Sequence, residues 1–253
     1  MNTLPIALQI YSVREDAARN LGDVLQRVAN MGYDGVEFAG FYGHDARSVR
    51  RMLDDNGLKV AGAHVGIDTL LGDELERSIE FHNTIGNKYL IVPGFPESYR
   101  SSRAAWLETA KIMNTIAAQL RPHGMQTGYH NHTVEFHALP DSHGELPWDT
   151  FFSNTDNDVI MQFDTGNALH GGAEAAPFIS RYPGRAITVH LKEHSDSNDK
   201  ALLGEGDVDW QKIFELCTTV GGTQWYIVEQ ESYAYPPLEC VDRSLQNLRA
   251  LLK

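Results

Sequence analysis

Hydrophobic and polar positions follow two rhythms that take turns from one end of the chain to the other. Short apolar runs bounded by Gly, Pro or Asp read as strands. Longer stretches with an apolar residue every third or fourth place read as amphipathic helices. The strand-like runs are 6–10 (IALQI), 34–39 (DGVEFA), 58–65 (LKVAGAHV), 88–94 (KYLIVPG), 125–132 (MQTGYHNH), 159–166 (VIMQFDTG), 185–194 (RAITVHLKEH) and 223–231 (TQWYIVEQE). Helical spacing covers 20–33, 46–57, 73–86, 103–124, 147–155, 173–184, 207–222 and 238–253. Gly32, Gly57, the Pro122–Gly124 stretch and the Pro183-Gly184 pair are helix stops. GEGDVDW (204–210) reads as a Gly-rich turn, with Asp207 or Asp209 capping the helix that follows. Trp106 and Phe81 fall on core-facing helical positions, whereas His82, His123 and His143 are expected at the surface.

Strands alternating with helices imply a parallel sheet. About eight such units in 253 residues predict a single α/β domain over 1–253, a (β/α)₈ TIM barrel. The competing arrangement is an open doubly wound sheet, which would carry a Gly-rich phosphate loop after its first strand. IALQIYSVRED has no glycine there, and no linker or change of composition divides the chain.

Charge narrows the partners. Lys and Arg total 21 against 34 Asp and Glu, a formal net charge of −13. A surface of that sign repels phosphate backbones and anionic lipid, so a nucleic-acid partner is not expected. No segment approaches the roughly 20 apolar residues of a membrane span, so no membrane role is expected either. MNTLPIALQI lacks the basic start and long apolar run of a secretory leader. Cys217 and Cys240 both sit in helix-like stretches and make no disulfide framework, which fits a reduced, cytoplasmic protein. Whether the chain assembles as a homo-oligomer is left open by these features.

In a barrel of this kind the C-terminal ends of the strands carry the active site. Here they carry Gln9, Tyr11 and Arg14 after the first strand, Glu37 on the second and His64 on the third. His130, Asn131 and His132 follow on the fifth, Asp164 on the sixth, His190 and Lys192 on the seventh, and Glu229 and Glu231 on the eighth. His130, Asp164, His190 and Glu229 come from four consecutive strands and suit one divalent cation. Their mixed imidazole and carboxylate donors favour Mn²⁺, Co²⁺, Fe²⁺ or Zn²⁺ over Ca²⁺. Glu135, a little past the fifth strand, is the alternative fourth ligand. Strand periodicity puts His130 and His132 on one face, and likewise His190 with Lys192. The bland reading of His64 is a satisfied core histidine, and that of Lys192 a solvated rim charge.

YHNHTVEF, MQFDTGN, VHLKEH and YIVEQE, in this order, resemble the xylose isomerase-like TIM barrel superfamily, as do ALQIYSVRED and GYDGVEFAG (32–40). That group includes sugar-phosphate isomerases/epimerases, ketose 3-epimerases, inosose dehydratases and endonuclease IV. The resemblance spans essentially the whole chain. It implies a metal held at the ends of strands five to eight, with Mn²⁺ the leading candidate and Mg²⁺ added to the alternatives. Asp164, His190 and Glu229 match the pattern, while His130 stands where the epimerases usually carry glutamate.

The expected activity is a metal-dependent sugar isomerase or epimerase acting on a ketose or keto-sugar through an enediolate. Glu229, Lys192 and His132 are the expected catalytic groups, and Gln9, Glu37, His64 and Asn131 the expected substrate contacts. With histidine at position 130 the second face of the reacting carbon lacks an obvious carboxylate, which makes a keto-sugar dehydratase or lyase the alternative. A non-catalytic sugar-binding barrel is a further one.

Overall fold

The structure, a computed structural model, describes residues 4–253. The first three positions of the N-terminal stretch lie outside the described residues. Eight parallel strands close into a barrel in chain order: β1 (Ile6–Gln9), β2 (Gly35–Ala39), β3 (Lys59–His64), β4 (Tyr89–Val92), β5 (Gln126–His130), β6 (Ile160–Asp164), β7 (Thr188–Leu191) and β8 (Trp225–Val228). Helices pack around the outside, so the strands are buried on both faces and read as near-continuous apolar runs. Each expected strand is present, trimmed at its ends to the residues that share ladder hydrogen bonds.

The first helix is longer than its apolar spacing suggested. It runs Arg14–Met31 and is broken at Asn20, whose φ of −162° and ψ of 94° are extended. The Asn20 side chain accepts from the Asp23 N–H at 3.1 Å, so it acts as an N-cap inside the element. The periodic stretch that starts at position 20 is therefore the second half of a kinked helix. Asp209 caps the helix Trp210–Thr219 by accepting from the Lys212 N–H, which decides between the two candidate acids.

His82 is not at the surface. It lies on the buried face of the helix Glu74–Ile85 with Leu75 and Ile79, and its Nδ1 meets the Asn87 side-chain amide at 2.9 Å. Its spacing from those two residues, three and seven positions on, is that of one helical face. Burial lowers its pKa to about 4, so it stays neutral. Trp106 is buried in an aromatic cluster with Phe95, Tyr129 and Phe151.

The register between strands sets the layers that carry the site. Gln9 lies opposite Glu37, His130 opposite Gln162, and Asp164 opposite His190. Between β2 and β3 the register shifts by a residue, so that Glu37 faces Gly62. A side chain at Gly62 would meet the Glu37 carboxylate at 2.5 Å; glycine is what lets that carboxylate lie across the barrel.

Candidate active site

Two polar layers fill the C-terminal half of the barrel. The lower one is fully buried. Glu37 Oε2 accepts from Gln9 Nε2 at 2.7 Å, and Glu37 Oε1 accepts from Gln162 Nε2 at 2.7 Å. His190 Nε2 reaches Glu37 Oε2 at 2.5 Å. Gln9 and Glu37 are 0 % exposed and neither lines the cavity above. Burial alone would raise the Glu37 pKa, but His64 and His190 beside it hold it below the usual carboxylate value.

The upper layer is the expected ligand set. His130, Asp164, His190 and Glu229 each offer a ligand atom, and these atoms all lie within 4.8 Å of one another. His190 Nδ1 is 2.7 Å from Glu229 Oε2 and 3.8 Å from Asp164 Oδ2. Asp164 Oδ1 accepts from the Asn167 N–H, but Oδ2 is buried with no hydrogen-bond partner among the described residues. A buried carboxylate oxygen without a partner is costly unless a cation meets it. That orphaned oxygen, the two imidazoles and the second carboxylate fit a divalent cation. His190, with Nδ1 toward the cluster and Nε2 on Glu37, has the carboxylate–histidine arrangement that orients metal-binding imidazoles. Glu135 is elsewhere: it accepts from the Tyr129 hydroxyl and from the His132 N–H, so it shapes the loop after β5 and is absent from the cluster.

Electrostatics separate the four groups. Burial raises the Asp164 pKa to about 7, against the pull of Lys192 and His190. Burial acts on Glu229 in the same sense, but Lys192 and His190 outweigh it and hold it well below the usual range. Burial would lower His190; Glu37 and Glu229 instead raise it to about 10. His130 is driven well below its ordinary value by burial and by His190 and His64 nearby, so it is a neutral imidazole.

Above the cluster opens a cavity of about 460 Å³. Tyr11, His64, His130, His132, Asn167, Glu229 and Glu231 supply its polar or aromatic lining; among the described residues no Lys or Arg lines it. Tyr11 is exposed, and the Arg14 guanidinium stacks on its ring at 4.4 Å. Lys192 stands behind this wall, paired with Glu231 and donating to Asn167 Oδ1 at 3.0 Å. Asn131 does not reach the cavity. It alternates to the face opposite His130 and His132, where its amide bonds the backbone N–H and C=O of Asp164 at 2.8 and 3.0 Å. The structure thus brings His64, His130, His132 and Glu229 together around one space, with Asp164 and His190 just below it. Gln9, Glu37 and Asn131 are set behind that surface.

Sequence reasoning passed over Gln162, which joins both layers, and Asn167, which lines the cavity. Gln162 had a signal: a polar side chain inside the apolar run VIMQF, two residues before Asp164 and so on the same face.

A closed parallel barrel with a buried ligand-type cluster beneath a polar cavity at the C-terminal ends of its strands has a candidate metal site where barrel enzymes carry their chemistry. The sequence profile of the xylose isomerase-like TIM barrel family matches residues 25–251, and the chain belongs to that family. The inosose dehydratase of Geobacillus kaustophilus (strain HTA426) is 25% identical, with 100% of this chain and 98% of that protein covered. The crystal structure of a sugar phosphate isomerase/epimerase from Parabacteroides distasonis ATCC 8503 superposes with a TM-score of 0.85 at 21% identity, covering 99% of this chain and 97% of that one. The probable 3-DHS dehydratase AsbF from Bacillus anthracis superposes with a TM-score of 0.71 at 15% identity, covering 97% and 99%. These relatives are enzymes, and so is this chain.

Proposed function

We propose that this chain is a divalent-metal-dependent enzyme that removes a proton α to the carbonyl of an uncharged keto-polyol or ketose and then eliminates water. The observation that carries the reading is the cluster of His130, Asp164, His190 and Glu229 beneath a cavity with no cationic lining. His130 Nε2, His190 Nδ1, Asp164 and Glu229 are the groups that would hold the metal. A bound divalent cation supplies Lewis acidity, which lowers the cost of negative charge developing on the substrate's carbonyl oxygen.

The protein's own groups divide the remaining work. Glu229, held ionised by Lys192 and His190, takes the C–H proton. The electron pair left on carbon expels the β-hydroxyl, and His132, exposed on the same cavity, gives the proton that releases it as water. Lys192, behind the wall and paired with Glu231, is the cation that keeps Glu229 ionised. An uncharged substrate follows from the lining: a phosphate here would face Glu229 and Glu231 with no Lys or Arg on the wall.

Elimination is favoured over epimerisation because position 130 is an imidazole engaged in the cluster, which leaves no second carboxylate facing Glu229. The inosose dehydratase relatives agree with it. The second reading is an isomerase or epimerase, favoured by Glu231, a second carboxylate on the same cavity.

The test is an NMR assay in D₂O of the Mn²⁺-, Co²⁺- and Zn²⁺-loaded enzyme on a panel of uncharged keto-polyols, ketoses and sugar phosphates. Loss of water from an uncharged keto-polyol is expected. Glu229→Gln should keep much of its metal and lose turnover by about 10²-fold or more. Turnover of sugar phosphates alone would overturn the uncharged substrate, and products that are only epimers would overturn elimination. Wild-type proton exchange by Glu229→Gln would remove Glu229 as the base.

A further inference from the structure

The buried polar layer does more than fill the barrel: through Gln162 it meets one ring nitrogen each of His64 and His130. Gln162 is the pivot. Its Nε2 donates to Glu37 Oε1 at 2.7 Å and to Thr188 Oγ1 at 2.9 Å. Glu37 is the acceptor of this layer: its Oε2 takes the Gln9 Nε2 donor, whose own oxygen is occupied by the Tyr11 N–H, and meets His190 Nε2, so the Gln162 amide turns its Nε2 toward the carboxylate. Its carbonyl oxygen must then face the other way. There it meets His64 Nε2 at 2.7 Å and His130 Nδ1 at 3.2 Å.

A carbonyl oxygen has no proton to give. Both ring nitrogens on Gln162 Oε1 therefore carry theirs, and a neutral ring has one proton in all. The bare nitrogens are His64 Nδ1 and His130 Nε2. Neither has a hydrogen-bond partner among the described residues, and both rings line the cavity. The two rings are thus set in opposite tautomers by one oxygen. His64 takes the Nε2–H form that free imidazole prefers, and His130 takes the less favoured Nδ1–H form.

We propose that Gln162 is a positioning residue that fixes the tautomers of His64 and His130, so that His64 Nδ1 is an obligatory hydrogen-bond acceptor for a substrate hydroxyl and His130 Nε2 a bare donor atom toward the cluster. What those two lone pairs meet rests on the proposed function; the tautomers themselves belong to the metal-free chain. An acceptor that cannot turn into a donor selects a hydroxyl over a carbonyl at that place in the cavity, which is the discrimination a keto-polyol site needs between its two kinds of oxygen.

Long-range ¹H–¹⁵N spectra of the histidine-labelled, chelator-treated protein at pH 7.5 read the tautomers directly. A single Nδ1–H form is expected for His130 and a single Nε2–H form for His64. In Gln162→Leu the His130 signal should move toward Nε2–H, and Zn²⁺ affinity, followed with a chromophoric chelator, should fall about 10- to 100-fold. KM for an uncharged keto-polyol should rise by more than kcat falls. An Nε2–H form of His130 in the wild-type protein overturns the proposal, and that measurement stands even where Gln162→Leu does not fold. Unchanged tautomers in a folded Gln162→Leu overturn it as well. The expected tautomers in a protein that turns over no keto-polyol uphold the positioning role and overturn only the substrate reading.

Discussion

Asp164 and His190 are neighbours across β6 and β7, and their protons decide when the cluster can take a cation. Asp164, raised to about 7, keeps its proton in mildly acidic solution, and His190, raised to about 10, keeps both of its own well past neutrality. His130 and Glu229 have none to lose there. The signs for stability differ. His190 contributes stability that is fully present below its ordinary value of 6.5 and is lost as pH rises toward 10. Asp164 costs stability as pH rises from its ordinary 3.8 to about 7, because only the unfolded chain releases that proton. A cation must displace both protons, since ligands bind deprotonated. We expect about two protons released per metal at pH 6 and about one at pH 8.5, so that affinity rises with pH more steeply below 7 than above it. Titration calorimetry in buffers of differing ionisation enthalpy measures the count, and equal counts at the two pH values would exclude Asp164 as the second source.

At the scale of elements, the meeting of β2 and β3 controls the layer beneath the cluster. The register shift places Gly62 beside Glu37, and the carboxylate is pinned there by Gln9, Gln162 and His190. A methyl group at Gly62 would need the space that Glu37 Oε1 occupies. With three partners holding it, the carboxylate cannot swing aside freely. Gly62→Ala should therefore lower stability by about 1–3 kcal/mol, as overpacking does. It should also loosen Zn²⁺ binding at least tenfold through His190. Denaturant unfolding and chelator competition measure the two effects; a variant with unchanged metal affinity would show that Glu37 does not orient His190. Strand alternation itself was legible beforehand. It placed His130 with His132; Asn131 was expected at the substrate, yet the same rule gives it the opposite face, where it ties β5 to β6.

Over the whole molecule the four ligand-type residues stand at the ends of β5, β6, β7 and β8, whose order in the barrel follows the chain. A cation bound there joins half the barrel and is absent from the unfolded state, so it adds stability by mass action. At a free metal concentration 100 times Kd that amounts to about 2.7 kcal/mol. For a chain of this size it corresponds to a rise in Tm of roughly 5–10 °C. Thermal unfolding with and without Mn²⁺ or Zn²⁺ should show the rise in the wild-type protein and little of it in Asp164→Asn. An equal rise in both would move the metal elsewhere. Among the described residues no helix is long and apolar enough to cross a membrane. The net charge of −13 extends into the cavity, which has two glutamates and no Lys or Arg on its wall.

The amino-acid order by itself determined the eight alternating units, the closed parallel barrel and the ligand-type residues at the ends of β5 to β8. Those follow from local periodicity and from one topological rule: consecutive parallel strands place consecutive strand ends side by side. Only the tertiary structure decided which polar residues face the cavity and which lie beneath it. Gln9 and Glu37 stand at strand ends in the sequence just as His64 does, yet the barrel's register sinks them into the layer below. Glu135 sits within reach of the cluster by residue count, yet the turn after β5 carries it to Tyr129 and the His132 backbone. His82 looked like a surface polar residue until the helix face it shares with Leu75 and Ile79 was seen to be buried. For Gln9 and Glu37 the deciding quantity is depth, set by register between strands, which local sequence pattern does not encode; for Glu135 it is the direction of the turn after β5, and for His82 the packing of a helix face whose spacing alone was already readable.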